Sequence, residues 1–384
     1  MSDLARIRSD VVGSLLRPAF LKQARERYDE GKISEQKLRG VEDQAIREAV
    51  ALQEKVGLEV VTDGEMRRLN FQDSFGASVS GFDAGRANIK FYETRVQGSV
   101  PLRRWEIPDQ GEGKGTAVAQ RRPVTERLRL ARNVPLEEYL FVGRVARRPA
   151  KVTLIGPDRI SQRLDHQAST SVYPTMDDFV ADVVRIEREM IRALVEAGCR
   201  YVQIDAPGYT AYVDPPSLQA MRQRGEEPME NFARSLDADN EVIRGFDGVT
   251  FGIHICRGNQ RSMWHREGSY DPIAERLLNE LGHDRFLLEY DSPRAGSFEP
   301  LRFVPKGKVV VLGLVSTKVP ELESVDALKR RIDEASRYLP LEQLAISPQC
   351  GFASDVVGNL ISEEDQKRKL EVVVETARQV WGRG

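Results

Sequence analysis

Short apolar runs alternate with longer amphipathic stretches along most of the chain. Eight runs are continuously apolar, which is typical of strands buried on both faces. They are centred near Asp10, Val60, Val152, Val202, Phe251, Leu287, Val310 and Ala345. Stretches with apolar residues at helical spacing separate most of them. This alternation predicts an α/β fold with a parallel sheet covered by helices, and eight units favour a (β/α)8 TIM barrel.

Capping residues mark the ends of several predicted helices. Ser34 begins a helix that ends at Gly57, Thr175 and Asp178 form a capping pair, and Ser362 begins the last helix.

A doubly wound sheet is the alternative architecture. No Gly-x-Gly-x-x-Gly sequence follows the first predicted strand, so a dinucleotide-binding fold of that kind is disfavoured.

One segment breaks the alternation of strands and helices. Residues 75–148 are rich in arginine and contain a glycine-rich loop at 111–115. We interpret them as an insertion after the second strand, formed by a hairpin and a helix, within a single barrel domain of residues 1–384. The arginines could meet an anionic substrate or another subunit, although a solvated surface explains most of them equally well.

Composition narrows the class of protein. The chain has 384 residues, of which 40% are hydrophobic and 30% charged, as in soluble globular proteins. A net charge of −2 argues against a general nucleic-acid binder. No apolar run approaches the roughly 20 residues that span a membrane, and the first residues lack a signal-peptide core. Three widely spaced cysteines do not form a disulfide framework, which favours the reducing cytoplasm.

Polar residues gather where the predicted strands end. In a barrel these ends meet at one mouth. His254 and Cys256 are two residues apart on one strand and therefore face the same side, whereas Glu289 and Cys350 follow two other strands. For His254 and Cys256 alone, the alternative is a core histidine with its hydrogen bonds made, beside a buried cysteine. The joint set of one imidazole, two thiols and one carboxylate predicts a zinc site.

The remaining histidines and the third cysteine lie in less informative surroundings. His166, His265 and His283 occur in polar loop or helix contexts and are expected to be solvated. Cys199 follows a helix-ending glycine and is expected to be packed.

A zinc site with two thiolates carries less positive charge than a histidine-rich one. It is therefore less suited to acidifying water and better suited to binding a substrate thiol. A free thiol has a pKa of about 8.5 and is mostly protonated at neutral pH, whereas a metal-held thiolate stays nucleophilic. The ligand set thus indicates alkyl transfer to sulfur.

The motifs together resemble those of the cobalamin-independent methionine synthases, in particular their catalytic barrel. Residues 254–256, 288–294 and 350–352 are similar to the zinc motifs of that family, and residues 12–14, 63–65 and 203–207 to its amino-acid substrate motifs. The resemblance covers most of the chain outside the insertion.

The resemblance implies zinc on His254, Cys256, Glu289 and Cys350. It also implies that the amino and carboxylate groups of homocysteine meet Ser14, Glu65 and Asp205. A methyl group would then move from methyltetrahydrofolate or a methylated corrinoid to the thiolate, giving methionine. The expected partners are these small molecules, with a corrinoid protein or a second copy of the chain as further candidates.

The chain departs from the family pattern in the half of the site that serves the methyl donor. Residues 314–320 lack the catalytic histidine of the corresponding family segment. Ala206 replaces a glutamate, and residues 155–157 replace the tryptophan expected to stack on a pterin.

Two other functions compete with methionine formation. Relatives of similar sequence transfer coenzyme M to epoxides, and its sulfonate would require arginines near the mouth. Arg17, Arg67, Arg68 and Arg257 are the candidates. Glu65 and Asp205 instead suit a thiol that carries an ammonium group, so homocysteine ranks first. A non-catalytic barrel stabilised by zinc is the third function, and the polar strand ends argue against it.

Overall fold

A computed structural model describes residues 3–83 and 122–382. Its central element is a parallel six-stranded sheet whose strands follow one another in chain order, with an antiparallel two-stranded hairpin beside it. The strands are β1 (Val79–Phe82), β2 (Val124–Leu130), β3 (Val152–Ile155), β4 (Tyr201–Asp205), β5 (Thr250–Ile255), β6 (Arg285–Glu289), β7 (Val309–Val315) and β8 (Leu344–Pro348).

Helices connect the strands as the alternation predicts. The α-helices are α1 (Ala19–Asp29), α2 (Glu35–Val56), α3 (Asp73–Gly76), α4 (Val134–Val145), α5 (Pro157–Ser161), α6 (Met176–Glu196), α7 (Pro215–Gln223), α8 (Pro228–Ile243), α9 (Asp271–Glu280), α10 (Val325–Ala335) and α11 (Glu363–Trp381). Short 3₁₀ helices lie at Asp3–Arg6, Gln167–Ser169, Pro207–Tyr212, Pro293–Ala295, Glu299–Phe303 and Leu341–Gln343.

The predicted helix caps are confirmed. The Ser34 hydroxyl accepts a hydrogen bond from the third residue of α2, and Gly57 ends that helix in the left-handed conformation with φ of 97°. Thr175 and Asp178 form a reciprocal capping box on α6, and Ser362 forms another on α11. Local sequence therefore sets the lengths of these helices.

The first two predicted strands are much shorter in the structure than expected. Ser9 makes a single parallel bridge to Ile346 of β8, and Val61 makes one to Ala150, just before β3. The strands predicted near Asp10 and Val60 are thus reduced to single bridges, although both segments occupy the expected positions between β8 and β3 and complete the barrel.

A carboxylate replaces much of the missing backbone pairing between these two segments. Glu59 Oε2 accepts hydrogen bonds from the Arg8 and Ser9 amides at 2.6 and 2.9 Å. Farther along, the Thr62 hydroxyl donates to the Gly13 carbonyl at 2.7 Å. Side chains satisfy backbone groups that a strand ladder would otherwise pair, which explains why the apolar pattern overestimates strand length here.

Charged side chains fill the interior of the barrel at the start of β3. Asp10 lies between the Lys151 ammonium at 2.8 Å and the Arg285 guanidinium at 3.2 Å, and it accepts a hydrogen bond from the Tyr201 hydroxyl at 2.7 Å. We call these four residues the Asp10 network. All four are fully buried or nearly so. Because the charges are paired, the network holds the first segment against three strands.

The insertion contains the predicted hairpin and helix. β1 and β2 pair antiparallel, and α4 follows them. Arg127 of β2 pairs with Asp182 of α6 at 2.9 Å, which fixes the hairpin on the outside of the barrel. The glycine-rich loop at 111–115 lies outside the described residues. None of the helices within residues 3–83 and 122–382 combines the length and apolar character that a membrane crossing needs.

Candidate metal and substrate site

A cavity of about 760 Å³, including space open to solvent, lies at the C-terminal ends of the strands. Six of the seven predicted site residues line it, namely Ser14, Glu65, Asp205, His254, Cys256 and Cys350. The seventh, Glu289, is not among the lining residues. The structure thus brings the thiols and the predicted substrate carboxylates into one space.

Three potential metal ligands converge in this cavity. The ligand atoms of His254, Cys256 and Cys350 lie within 4.8 Å of one another, and all three residues are buried. Neither ring nitrogen of His254 has a hydrogen-bond partner among the described residues. Because buried polar groups are normally hydrogen-bonded, two unsatisfied nitrogens beside two thiols indicate a missing ligand.

The three residues also perturb one another electrostatically. Hydrogen bonding from the Cys350 thiol, with a further electrostatic contribution from the nearby His254 imidazole, holds the pKa of Cys256 well below its ordinary value. The same contact raises the pKa of Cys350. Burial acts to lower the pKa of His254, but the neighbouring Cys256 raises it overall. Cys256 is therefore the thiol that ionises first, and thiolate is the form that binds metals.

Glu289 ends β6 and does not belong to the group of three converging ligand atoms. Its Oε2 accepts a hydrogen bond from the Arg257 amide at 2.6 Å, while Oε1 lies 3.8 Å from Lys318 Nζ. Neither Oε1 nor Lys318 Nζ has a hydrogen-bond partner among the described residues. Burial raises the pKa of Glu289. The carboxylate thus has one oxygen without a hydrogen bond, and Arg294 and Lys318 lie 3.7 and 3.8 Å from that oxygen, close enough to neutralise it.

Glu65 sits in an unusual backbone conformation at the cavity wall. Its φ is 56°, in the left-handed region that residues other than glycine rarely adopt. Oε1 accepts a hydrogen bond from the Thr153 hydroxyl at 3.0 Å, whereas Oε2 is buried without a partner in the described chain. A Cβ at Gly13 would lie 2.9 Å from Oε1, so only glycine leaves room for this carboxylate. Strain and an unsatisfied oxygen together are typical of a ligand-binding residue.

Asp205 is one of the predicted substrate-binding residues and lies next to His254, one of the three potential metal ligands. It ends β4 directly beside His254 in the register of β5. Gln203 Nε2 donates to its Oδ1 at 2.7 Å. Burial, with a smaller contribution from Glu65, raises the pKa of Asp205 to about 7. A cationic group between the two carboxylates would relieve this repulsion.

Ser14 lies against the loop that carries Cys350. The Ser14 carbonyl accepts a hydrogen bond from the Phe352 amide at 2.8 Å. A Cβ at Gly351 would approach the Ser14 hydroxyl to 2.0 Å, so the close approach requires glycine. Ser14 is therefore held next to the converging thiols.

Several features of the cavity were not expected from the sequence. His265 is half-buried and lines the cavity. His283 is fully buried, so the prediction that His283 is solvated is wrong. Arg159 and Arg266 also line the cavity, whereas Arg17, Arg67, Arg68 and Arg257, the arginines expected at the mouth, do not. Arg159 follows a predicted strand end and could have been found from that position. Arg266 lies eleven residues beyond β5 in an irregular loop and carries no such signal.

The fold and the cavity define a TIM-barrel enzyme with a thiol-rich candidate metal site at the mouth. The model of the family described as "Cobalamin-independent synthase, Catalytic domain" matches residues 8–101 and 173–379. The chain belongs to this family, whose members are methyltransferases.

Individual relatives agree with the family assignment. An uncharacterized protein of Bacillus subtilis, YxjH, is 35% identical over 98% of this chain and 95% of its own length. A methionine synthase of Pyrococcus abyssi is 26% identical over 91% of this chain and 87% of its own length. A solved structure from Listeria monocytogenes, of a candidate vitamin-B12-independent methionine synthase, has a TM-score of 0.71, 27% identity and 97% coverage of both chains.

Proposed function

We propose that this chain is a zinc-dependent methyltransferase that methylates the thiol of homocysteine to form methionine. One observation carries the proposal. Two thiols and an imidazole converge within 4.8 Å in the same cavity as two carboxylates and a serine suited to an amino acid. Membership of the family indicates methyl transfer. The thiols and carboxylates of the cavity favour an acceptor that has both a thiol and an ammonium group.

The donor set fits zinc. One nitrogen and two sulfur ligands are typical of zinc in proteins, and His254, Cys256 and Cys350 would hold it. The lowered pKa of Cys256 and the unsatisfied nitrogens of His254 favour this use of the three side chains. Glu289 remains our proposed fourth ligand, through Oε1, which has no hydrogen-bond partner in the described part of the chain. When bound, zinc would keep the substrate thiol ionised at neutral pH.

The protein's own residues would orient the acceptor. Glu65 and Asp205 would bind the ammonium group of homocysteine, since Glu65 Oε2 has no hydrogen-bond partner within residues 3–83 and 122–382 and the two carboxylates repel each other. The Ser14 hydroxyl and amide would bind the carboxylate. The three residues Glu65, Asp205 and Ser14 lie in the same cavity as Cys256 and Cys350. An amino acid bound by them would therefore have its sulfur beside the metal ligands.

The methyl donor would be methyltetrahydrofolate or a methylated corrinoid. We place the reaction in the cytoplasm, because Cys199, Cys256 and Cys350 are all free thiols and two of them are proposed to bind metal.

X-ray absorption at the zinc edge tests the proposal on metal-loaded, full-length protein. An additional sulfur ligand on adding homocysteine, but not coenzyme M, is the expected result. A response only to coenzyme M would move the protein to epoxide chemistry, and a response to neither thiol would make the zinc structural. Cys256→Ser should lose zinc and activity while its circular dichroism spectrum stays that of the folded barrel.

A further inference from the structure

Lys318 is a buried cation next to the candidate metal site. It follows β7, and its Nζ lies 3.8 Å from Glu289 Oε1, the oxygen of our proposed fourth ligand. The Lys318 side chain has no exposed surface, and its Nζ has no hydrogen-bond partner among the described residues. An ammonium group carries three donors, so burying it without hydrogen bonds is costly. Such a group beside a reactive site calls for a functional explanation.

The other buried lysines in the described part of the chain have acceptors. Lys151 Nζ donates to Asp10 Oδ1 at 2.8 Å, and Lys369 Nζ donates to Glu323 Oε2 at 3.1 Å. These contacts join segments that are distant in the chain. Lys318 makes no such hydrogen bond within the described residues, because the carboxylate beside it is beyond hydrogen-bond distance. Fixing the fold therefore does not account for the Lys318 charge.

Positive charge exceeds negative charge around Glu289. Arg294 lies 3.7 Å from Glu289 Oε1 and 3.6 Å from Asp291 Oδ1, and Arg257 Nη1 donates to the Glu289 carbonyl at 3.2 Å. Together with Lys318, three cations thus face two carboxylates. Since the charge of a zinc ion is matched by two cysteine thiolates, the loaded site keeps one positive charge on this side.

The segment that carries Lys318 also contacts the loop of Cys350. The hydroxyl of Thr317 donates to Gln349 Oε1 at 2.6 Å, directly before Cys350. Contact with Cys256 raises the pKa of the Cys350 thiol, and the Lys318 charge counteracts this rise. Lys318 is not among the residues that line the cavity. Its charge therefore acts on a sulfur in the site from behind the ligands and not by contact.

We propose that Lys318 is a specificity-determining residue whose positive charge makes the site prefer the anionic sulfur of the acceptor to the neutral sulfur of the methylated product. The inference deepens the proposed function and rests on it for the identity of both molecules. The positive charge that remains around Glu289 matches one thiolate, whereas a thioether carries no charge to match.

The reaction changes the charge of the sulfur. Homocysteine loses its thiol proton to solvent as it binds, so its sulfur carries one negative charge. The electron pair of the sulfur then forms the bond to the methyl carbon, while the bond from methyl to donor breaks and leaves its electron pair on the donor. The sulfur of methionine is neutral. A fixed ammonium group stabilises the thiolate and not the thioether, and it thereby favours acceptor binding and product release.

The same charge should act on zinc with the opposite sign. An ammonium group attracts a thiolate and repels a divalent cation. Loss of the Lys318 charge should therefore weaken homocysteine binding without weakening zinc binding. A purely structural role predicts instead that homocysteine, methionine and zinc all bind more weakly.

Isothermal titration calorimetry on zinc-loaded, full-length protein tests the inference. Homocysteine and methionine are titrated into the wild type and into Lys318→Met, which removes the charge and keeps a long unbranched side chain. We expect the Kd of homocysteine to rise at least about tenfold and the Kd of methionine to stay within about twofold. Competition with a chelating dye should show zinc bound at least as tightly as in the wild type.

Lys308→Met is the matched control. Lys308 directly precedes β7, whereas Lys318 follows it, and Lys308 Nζ donates to the His283 carbonyl at 2.9 Å. This variant should change neither the Kd of homocysteine nor that of methionine. Lys318→Arg keeps the charge and should retain the preference for homocysteine. If Lys318→Met does not fold, Lys318→Gln removes the charge in its place.

Several outcomes would overturn the inference. Equal rises in the Kd of homocysteine and of methionine would mean that Lys318 maintains the shape of the site. Weaker zinc binding in Lys318→Met would mean that the lysine positions Glu289 for the metal. A wild type that binds methionine as tightly as homocysteine would have no preference to explain.

The wild type also separates this inference from the proposed function. If it binds homocysteine more tightly than methionine, and Lys318→Met binds both as the wild type does, the inference is wrong and the proposed function stands. If the wild type binds neither molecule, the proposed function is wrong and the inference fails with it.

Discussion

Gln203 donates a hydrogen bond from its amide nitrogen to Asp205 Oδ1 at 2.7 Å. Its amide oxygen accepts a hydrogen bond from Lys151 Nζ at 2.7 Å. Because an ammonium group can only donate, the lysine fixes which end of the amide faces Asp205. The Asp10 network, which closes the barrel, thus also orients a carboxylate of the proposed substrate site.

Replacing Gln203 should therefore weaken substrate binding without removing the metal. In Gln203→Leu, Asp205 loses its donor and Lys151 loses an acceptor, so the KM for homocysteine should rise about tenfold. Zinc content should stay at the wild-type value. The measurement is steady-state kinetics with metal analysis.

Gln53→Leu is the matched control for that variant. Gln53 is a buried glutamine whose amide pairs with the backbone of Thr62, outside the set of cavity residues. Gln53→Leu should lower the free energy of unfolding about as much as Gln203→Leu does, but leave the KM for homocysteine unchanged. An equal rise of KM in both variants would show that Gln203 acts only through stability.

The sequence was most informative where function follows directly from strand position. His254, Asp205 and Cys350 lie at or just beyond the ends of β5, β4 and β8, and a barrel brings such ends together whatever the loops do. Continuous apolar strands and capping residues were sufficient to place them. Six of the seven predicted site residues therefore meet in one cavity.

The sequence was least informative where contacts between distant parts of the chain determine the local structure. Glu59 replaces a strand ladder with side-chain hydrogen bonds, which no periodicity reveals. Arg266 reaches the cavity from an irregular loop, and no strand end or periodicity in the sequence marks its position. Lys318 lies close to Glu289 only because β6 and β7 are neighbours, although the two residues are distant in the chain.

Because Glu289 is not in the group of three converging ligand atoms, it should contribute less to zinc affinity than they do. Cys350→Ser removes one of the converging donors and should weaken zinc binding by at least about a hundredfold, whereas Glu289→Gln should weaken it by about tenfold. Competition with a chelating dye measures both. Equal losses would show that the carboxylate is as strong a ligand as the thiol.

Gly351 provides a test of the Ser14 position. In Gly351→Ala the new methyl group would lie 2.0 Å from the Ser14 hydroxyl and must displace it. The Kd of homocysteine should rise about tenfold, by calorimetry, with zinc retained. Gly40→Ala is the control, because Gly40 lies in α2 and no atom of the described residues would lie within 4 Å of the added methyl group. This variant should instead stabilise the protein by about 1 kcal/mol. Unchanged homocysteine binding in Gly351→Ala would place the substrate carboxylate elsewhere.

Asp239 should make the stability of the fold depend on pH. It is fully buried on α8, where it accepts a hydrogen bond from the Tyr209 hydroxyl at 2.5 Å, and its other oxygen has no partner among the described residues. Burial, with a contribution from Asp158, raises its pKa to about 7. An aspartate in the unfolded chain has a pKa of about 3.9, so the folded state binds the extra proton between these values.

The stabilisation from that proton is complete below about pH 4 and is lost as the pH rises through about 7. Asp239→Asn cannot ionise and still accepts from Tyr209. Its free energy of unfolding should therefore match that of the wild type near pH 4 and exceed it near pH 8, by on the order of 2–4 kcal/mol. Urea unfolding across this range measures the difference. Asp237→Asn, an exposed neighbour on the same helix, should stay within about 0.5 kcal/mol of the wild type throughout. Parallel pH profiles for Asp239→Asn and the wild type would mean that Asp239 keeps an ordinary pKa in the folded protein.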